Sequence, residues 1–380
     1  MDTGGRTMKE QQILNACNHY EQLDRCLKNS GQKKILLVCG SSIRYFHIGR
    51  YFDTLESRLG IKVVRFSGFT PNPLYGSVAE GVRLLNREHI RLIAAVGGGS
   101  AMDVAKCIKL YADMDHSRSY LQQTIVPNDI RLIAVPTTAG TGSEATRYAV
   151  IYENGEKQSV SDDSCIPDAV VVDPSVLKSL PLYQKKATMM DALCHSIEAC
   201  WSIHSSEESR QYSRTAIEQI VACKDAYLKN TEQGNAGMLR AANMAGKAIN
   251  LAQTTAGHAM CYRLTGLYRI AHGHAAALCV SRLFPYMIKN PGPCAAPGGE
   301  AWLKERFAEI AGALGCKTAV EGAERFDGIL KELALGIPKA GPDDYERLKT
   351  SVNPDRLKNN PVRLDTETID CLYHQILSGR

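Results

Sequence analysis

Five short runs of nearly unbroken apolar residues punctuate the first half of the chain: Lys34–Cys39 (KILLVC), Lys62–Phe66 (KVVRF), Arg91–Val96 (RLIAAV), Arg131–Val135 (RLIAV) and Ala169–Val172 (AVVV). Each is rich in Ile, Leu and Val and is closed by Gly, Ser, Pro or Asp, the signature of a short buried strand. Between them, stretches such as Leu74–Arg87 and Ala101–Asp113 carry apolar residues at helical spacing. Strands that are apolar on both faces and alternate with helices predict a parallel sheet covered on both sides. After about Pro181 the strand signals stop. Lys185–Ile203, Ser206–Asn230, Asn235–Ala256, Ala275–Lys289 and Ala301–Ala313 all read as helix, and Asn290–Gly299 (NPGPCAAPGG) reads as loop. The pattern predicts an α/β domain over residues 1–180 and an all-helical domain over 181–380.

Composition narrows the class. At roughly 100–200 residues per domain, 380 residues suit two domains. With 44% hydrophobic and 22% charged residues the chain is neither disordered nor collagen-like. The net charge of +5 is dispersed, with no basic block, so no nucleic-acid partner is expected. No apolar run approaches the ~20 residues that span a bilayer, and the N-terminus lacks the apolar stretch of a secretory signal, so no membrane partner is expected either. Thirteen cysteines, an odd number without a Cys-x-x-Cys pair, suit reduced thiols in a cytoplasmic protein.

Three segments carry chemistry. Gly97-Gly98-Gly99-Ser100 follows one strand and opens a helix. Glycine there lets the backbone approach a ligand, and the helix N-terminus offers N–H groups to a phosphate. The segment matches neither G-x-G-x-x-G nor the Walker A pattern. After the next strand comes Pro136-Thr137-Thr138-Ala139-Gly140-Thr141-Gly142-Ser143-Glu144, in which hydroxyls alternate with glycine. By itself this is a helix-capping turn; two such loops after two sheet strands point to a ligand outside the strands' carboxyl ends. In the second half Asp191 and His195 stand at i and i+4, on one face of a helix. His258, His272 and His274 follow in or beside later helical segments. An Asp with three His would suit Fe, Zn or a related ion acting as a Lewis acid. Spacing alone leaves open whether 191–195 and 258–272 meet.

The motifs GGGSAMDVAK, NPLYGSVAEGV, PTTAGTGSEATRYAV, CIPDAVVVDPSVLKSLP, DALCHSIEA, GHAMCYRLTG–AHGHAAAL and SVNPDRLKNNPV, in this order, resemble those of the iron-containing (group III) alcohol dehydrogenases over about residues 33–378. The resemblance implies a dinucleotide-binding α/β domain, a parallel sheet with flanking helices, and an all-α domain holding one divalent metal, Fe²⁺ or else Zn²⁺. It implies hydride transfer between NAD(H) or NADP(H) and a small alcohol or aldehyde, and an assembly of two or more copies. The metal ligands it implies are Asp191, His195, His258 and His272. Gly97 to Ser100 would hold the pyrophosphate with Asp103 nearby, Thr137, Thr138, Thr141 and Ser143 would line the nicotinamide side, and Asn72 and Lys157 would complete the cofactor set.

Two positions depart from the common family pattern. Where many NAD-preferring relatives carry an Asp after the first strand of the dinucleotide fold, this chain has Gly40, Ser41 and Ser42, with Arg44 close by. A carboxylate would repel a 2′-phosphate and small hydroxyl donors would accept one, so NADPH is expected to be used. Four residues after His258, where many relatives have a His in proton relay, stands Tyr262. The proton is expected from Tyr262, His274 or solvent. The combination of GKAIN, TTAGHAMCYRLT and HGHA resembles a branch of phosphonoacetaldehyde reductases. It implies reduction of phosphonoacetaldehyde to 2-hydroxyethylphosphonate, with Arg147, Lys247, Arg263 and Arg269 as cations for the anionic tail. The alternatives are an alcohol dehydrogenase of uncharged short-chain substrates, a lyase or synthase, or a non-catalytic protein on this scaffold.

Overall fold

Apolar strands need cover on both faces, and the computed structural model, which describes residues 8–16, 19–292 and 294–378, supplies it. The strands are β1 (Gln12–Asn15), β2 (Lys34–Cys39), β3 (Lys62–Phe66), β4 (Leu92–Gly97), β5 (Arg131–Pro136), β6 (Tyr148–Glu153), β7 (Glu156–Ser161) and β8 (Ala169–Val172). Six of them form one parallel sheet in the order β1-β8-β5-β4-β2-β3. Helices α1 (Glu21–Asn29), α2 (His47–Asp53), α3 (Leu55–Leu59), α4 (Tyr75–Arg87) and α5 (Gly99–Tyr111) belong to the same unit, and α5 packs on β4 and β5. Leu36, Val38, Ile93, Val104, Ile108 and Leu132 are buried to 1% exposure or less. Each such side chain stabilises the fold by about 1.5–3 kcal/mol.

Among the strands, β1 and the two of the β6–β7 hairpin escaped the hydrophobic pattern. β1 is four residues long and sits at the sheet edge beside β8, where only Leu14 is buried. The β6–β7 hairpin is joined by Asn154-Gly155, both at positive φ (53° and 80°). Asn-Gly is the preferred pair for such a turn, so the signal was in the sequence. The exposed strand EKQSVS hid it, having one buried residue of six.

The contacts divide the chain into two compact units. One comprises Lys9–Leu180 and Asn230–Leu239, the other Pro181–Lys229 and the chain from Arg240 onward. From Pro181 the elements are α6 (Leu182–Trp201), α7 (Glu207–Leu228), α8 (Glu232–Ala252), α9 (Ala256–Tyr268), α10 (His272–Lys289), α11 (Gly299–Ala313), α12 (Ala319–Glu332), α13 (Asp344–Lys349), α14 (Pro354–Leu357) and α15 (Thr366–Ser378). α6 is the central helix of its unit, packed against α7 and α10 and buried without a break from Met189 to Trp201. Trp201, fully buried, donates its indole N–H to Thr255 Oγ1 (2.9 Å) and lies 5.2 Å from the Phe284 ring. No helix among the described residues is long and apolar enough to cross a membrane. The twelve described cysteines are free.

Candidate active site

A helix buried on all sides must pair every ionisable group it carries. α6 carries three on one face, Asp191, His195 and Glu198, at i, i+4 and i+7. The first turn of α9 brings His258 to this face. One ligand atom from each of Asp191, His195 and His258 lies within 4.8 Å of the others, all three residues buried. The His195 and His258 rings stack with centroids 4.4 Å apart. His272, the first residue of α10, has its ring 5.4 Å from that of His258, and Cys261 Sγ lies 3.6 Å from its Nδ1.

The donor set fits a divalent cation. Glu198, fully buried, bonds His258 Nδ1 through one oxygen. Its other oxygen accepts from the His258 and Thr255 N–H groups (3.2 Å each) and the Thr255 hydroxyl (2.6 Å). With Nδ1 bonded to Glu198, Nε2 of His258 is turned towards Asp191 Oδ1 at 3.5 Å. Neither of these buried atoms has a hydrogen-bond partner among the described residues, an uncommon state that coordination would relieve. Burial opposes a charged His258, yet the Glu198 and Asp191 carboxylates outweigh it and raise its pKa to about 9. Against burial, His195 and its neighbouring imidazoles hold Asp191 well below the usual carboxylate range. A field that favours a proton at this point also favours a metal ion.

Two glycines let the helices close on this centre. A Cβ on Gly273 would strike the Ala187 carbonyl and come within 2.5 Å of Asp191 Cβ. One on Gly257 would meet Glu198 Oε1 at 2.9 Å and Val280 at 2.6 Å.

In the α/β unit most of the residues expected at a cofactor lie at the carboxyl ends of the strands. The chain leaves β2 towards β3 on one side and leaves β4 towards β5 on the other, so β2/β4 is the point where strand order reverses. Ligands of doubly wound sheets bind there. Gly40 follows β2 and Gly97 ends β4, in register across this point through Cys39↔Val96. At Gly97 a Cβ would meet that of Ala101 at 2.6 Å, so the loop needs its bare backbone. Gly98 faces Thr138 and Gly99 faces Thr141, joining the Gly97–Ser100 loop to the hydroxyl-rich one. Thr137 N–H donates to Gly97 O (3.0 Å), and Ser143 Oγ donates to Asp103 Oδ1 (3.2 Å). Burial raises the Asp103 carboxyl to about 6, opposed by Lys106 and, less strongly, Lys157. Lys106, itself fully buried, donates to Ser143, Thr146 and the Tyr148 carbonyl. Asn72 adopts φ +58° beside Pro73, whose carbonyl accepts from Tyr152 in the hairpin that carries Lys157.

Gly40 itself has φ −81° and open space where a Cβ would stand, so no backbone requirement explains the glycine. Ser41, Ser42 and Arg44 beside it are exposed.

The four cations expected at the substrate have diverse settings. Arg147 is 4% exposed in the α/β unit and paired with Asp163 at 3.0 Å. Lys247 holds its ammonium 5.6 Å from the Tyr212 ring, and Arg263 and Arg269 are exposed on α9 and at its end. His274 Nδ1 shares a 3.1 Å hydrogen bond with Tyr183 Oη, and burial lowers its pKa. The Tyr262 ring lies 5.4 Å from that of His272, and its hydroxyl accepts from Arg356 Nη1 at 3.1 Å. Glu198 and Arg356 were not singled out from sequence. The first was readable as the i+7 partner of Asp191, the second lies within SVNPDRLKNNPV.

Glycine- and hydroxyl-rich loops at a strand-order reversal and a buried Asp/His centre in a helical unit suit a metal-binding, nicotinamide-linked oxidoreductase. The comparisons with known proteins agree. The pattern of iron-containing alcohol dehydrogenases matches residues 11–174, and that of the family's C-terminal region matches residues 185–377. The chain belongs to the iron-containing alcohol dehydrogenase family and is an alcohol dehydrogenase or aldehyde reductase of that type. It is 33% identical over 335 residues to a phosphonoacetaldehyde reductase of Streptomyces viridochromogenes, covering 84% of each chain. Identity to a 1,3-propanediol dehydrogenase of Citrobacter freundii is also 33%, over 83% of this chain and 82% of that one. Among solved structures, the sulfoacetaldehyde reductase from Bifidobacterium kashiwanohense in complex with NAD⁺ has the same fold, with TM-score 0.87 and 23% identity over 100% of both chains.

Proposed function

We propose that this protein reduces phosphonoacetaldehyde to 2-hydroxyethylphosphonate, using NADPH and one bound Fe²⁺. The observation that carries the reaction class is the buried Asp191–His195–His258 cluster backed by Glu198. The substrate reading draws on the resemblance to the Streptomyces viridochromogenes phosphonoacetaldehyde reductase. Asp191, His195, His258 and His272 would hold the metal, which supplies Lewis-acid polarisation of a carbonyl when bound. Glu198 keeps His258 in the tautomer whose Nε2 can ligate. The Gly97–Ser100 loop and the α5 N-terminus would take the pyrophosphate, with Thr137, Thr138, Thr141, Ser143, Asp103, Asn72 and Lys157 around the rest of a cofactor that supplies the hydride. Gly40, Ser41 and Ser42 would admit a 2′-phosphate that a carboxylate there would repel. Burial keeps Tyr262 protonated by raising its pKa, opposed by Arg356, so its phenol can hand a proton on at Oη. His274, which burial holds neutral, would relay a proton only by taking one up at its other ring nitrogen as it gives one, and solvent is the remaining source.

The 1,3-propanediol dehydrogenase resemblance favours a second reading, an alcohol dehydrogenase of uncharged short-chain substrates. Phosphorus NMR of the metal-loaded enzyme with NADPH and phosphonoacetaldehyde separates the two. Stoichiometric 2-hydroxyethylphosphonate supports the first reading, and an unchanged aldehyde spectrum under conditions that reduce propanal establishes the second.

A further inference from the structure

An enzyme that prefers an aldehyde with an anionic tail needs a cation fixed beside its metal ligands, and the helical unit has one outside the four chosen from sequence. From His258 to His272 to Tyr262 the ring centroids step by 5.4 and 5.4 Å, and the Arg356 guanidinium carbon lies 5.1 Å from the Tyr262 centroid. Arg356 Nη1 donates to Tyr262 Oη at 3.1 Å. The guanidinium is half-buried, and no carboxylate pairs with it among the described residues. The adjacent Asp355 bonds Lys358 at 2.7 Å. A guanidinium with one neutral partner keeps further N–H donors for a ligand, in the fork geometry that suits a tetrahedral oxyanion.

Its position is fixed by the segment that carries it. Asn359 Nδ2 donates to Gln253 Oε1 (2.8 Å) and to the Thr254 carbonyl (3.2 Å), and the Asn359 carbonyl accepts from Ile203 N–H (3.1 Å). Those are the end of α6 and the turn that opens α9, the two elements that present Asp191, His195 and His258. The short helix bearing Arg356 is therefore tied to the frame of the metal ligands, with the Tyr262 ring as its seat.

We propose that Arg356, seated on Tyr262, binds the phosphonate or sulfonate group of a two-carbon aldehyde and so selects the anionic substrate. The assignment rests on the anionic-aldehyde reading above. Its test compares wild type, Arg356→Met and Arg356→Lys as metal-loaded enzymes with phosphonoacetaldehyde, sulfoacetaldehyde and propanal. Calorimetric binding of ethylphosphonate and ethanesulfonate, which cannot be reduced, accompanies the kinetics.

Loss of charge-assisted hydrogen bonds should cost Arg356→Met roughly 10- to 100-fold in kcat/KM for the anionic aldehyde. The loss should lie chiefly in KM and exceed that for propanal at least several-fold. Binding of the matching unreactive anion should disappear, and Arg356→Lys should recover part of both. The tighter of the two anions in wild type identifies phosphonate or sulfonate as the group held. Equal losses for charged and uncharged aldehydes, or anion binding unchanged in Arg356→Met, would overturn the assignment while leaving the substrate reading intact. A wild type that neither prefers an anionic aldehyde nor binds either anion would overturn both.

Discussion

At the scale of single residues, the centre includes a carboxylate, Glu198, that holds His258 and would act on a metal only through it. Glu198 accepts from two backbone N–H groups and a hydroxyl while holding His258. Glu198→Gln keeps the shape but removes the charge and leaves an amide that must choose between donating and accepting. Metal affinity is expected to fall roughly 10- to 100-fold, read by competition with a chromogenic chelator; unchanged affinity would show that Glu198 serves only to pair a buried helix. His258→Ala or His272→Ala should abolish metal retention with cofactor affinity largely kept, and a His272→Ala variant with full metal content would remove His272 from the ligand set. Gly40 gives a test of a different kind because its backbone imposes no glycine and its Cβ position is open. Gly40→Asp should fold normally and shift the ratio of kcat/KM for NADPH and NADH towards NADH by roughly tenfold or more, about 1.4 kcal/mol. An unshifted ratio would place cofactor selection elsewhere.

At the scale of elements, the close approach of α10 to α6 is set by Gly273, whose added Cβ meets backbone rather than a movable side-chain tip. Gly273→Ala should destabilise the fold by about 1–3 kcal/mol and reduce metal content, measured by thermal unfolding and metal analysis of the same sample. Wild-type values in both would show that the two helices have room to part. Elements also show how much the chain announced. The four inner strands β2, β4, β5 and β8 were legible because continuous Ile, Leu and Val runs suit a sheet buried on both faces. The edge strand β3 was legible from its Val63-Val64 pair, although only Phe66 in it is buried. β1 was not, since an edge strand with one buried residue of four leaves little periodic signal. α9 was missed because Gln253, at φ +62°, ends α8 three residues before α9 begins, and glycines at 257 and 266 blur the helical pattern. That helix carries His258, so spacing along the chain did not reveal how α6 and α9 meet. The contact needs the shape of the unit, and with it the place of Glu198 behind His258. Arg356 was obscured in the same way, since its relation to Tyr262 crosses 94 residues of chain.

At the scale of the whole molecule, chemistry is divided between the units. The α/β unit supplies bare backbone, hydroxyls and a helix N-terminus at a strand-order reversal, which suits a phosphorylated dinucleotide. The helical unit supplies a buried anionic centre for a cation, with Tyr262 and Arg356 one ring further on. Neither set performs a reduction alone, and the family assignment covers both, over residues 11–174 and 185–377. The most direct test follows the absorbance of reduced nicotinamide with metal-loaded and metal-stripped protein, using NADPH and NADH in turn, and phosphonoacetaldehyde beside propanal. The expected result is rapid oxidation of NADPH with phosphonoacetaldehyde, much slower with propanal, lost on stripping and restored by Fe²⁺. Turnover that favours propanal, or that survives complete removal of the metal, would contradict the account.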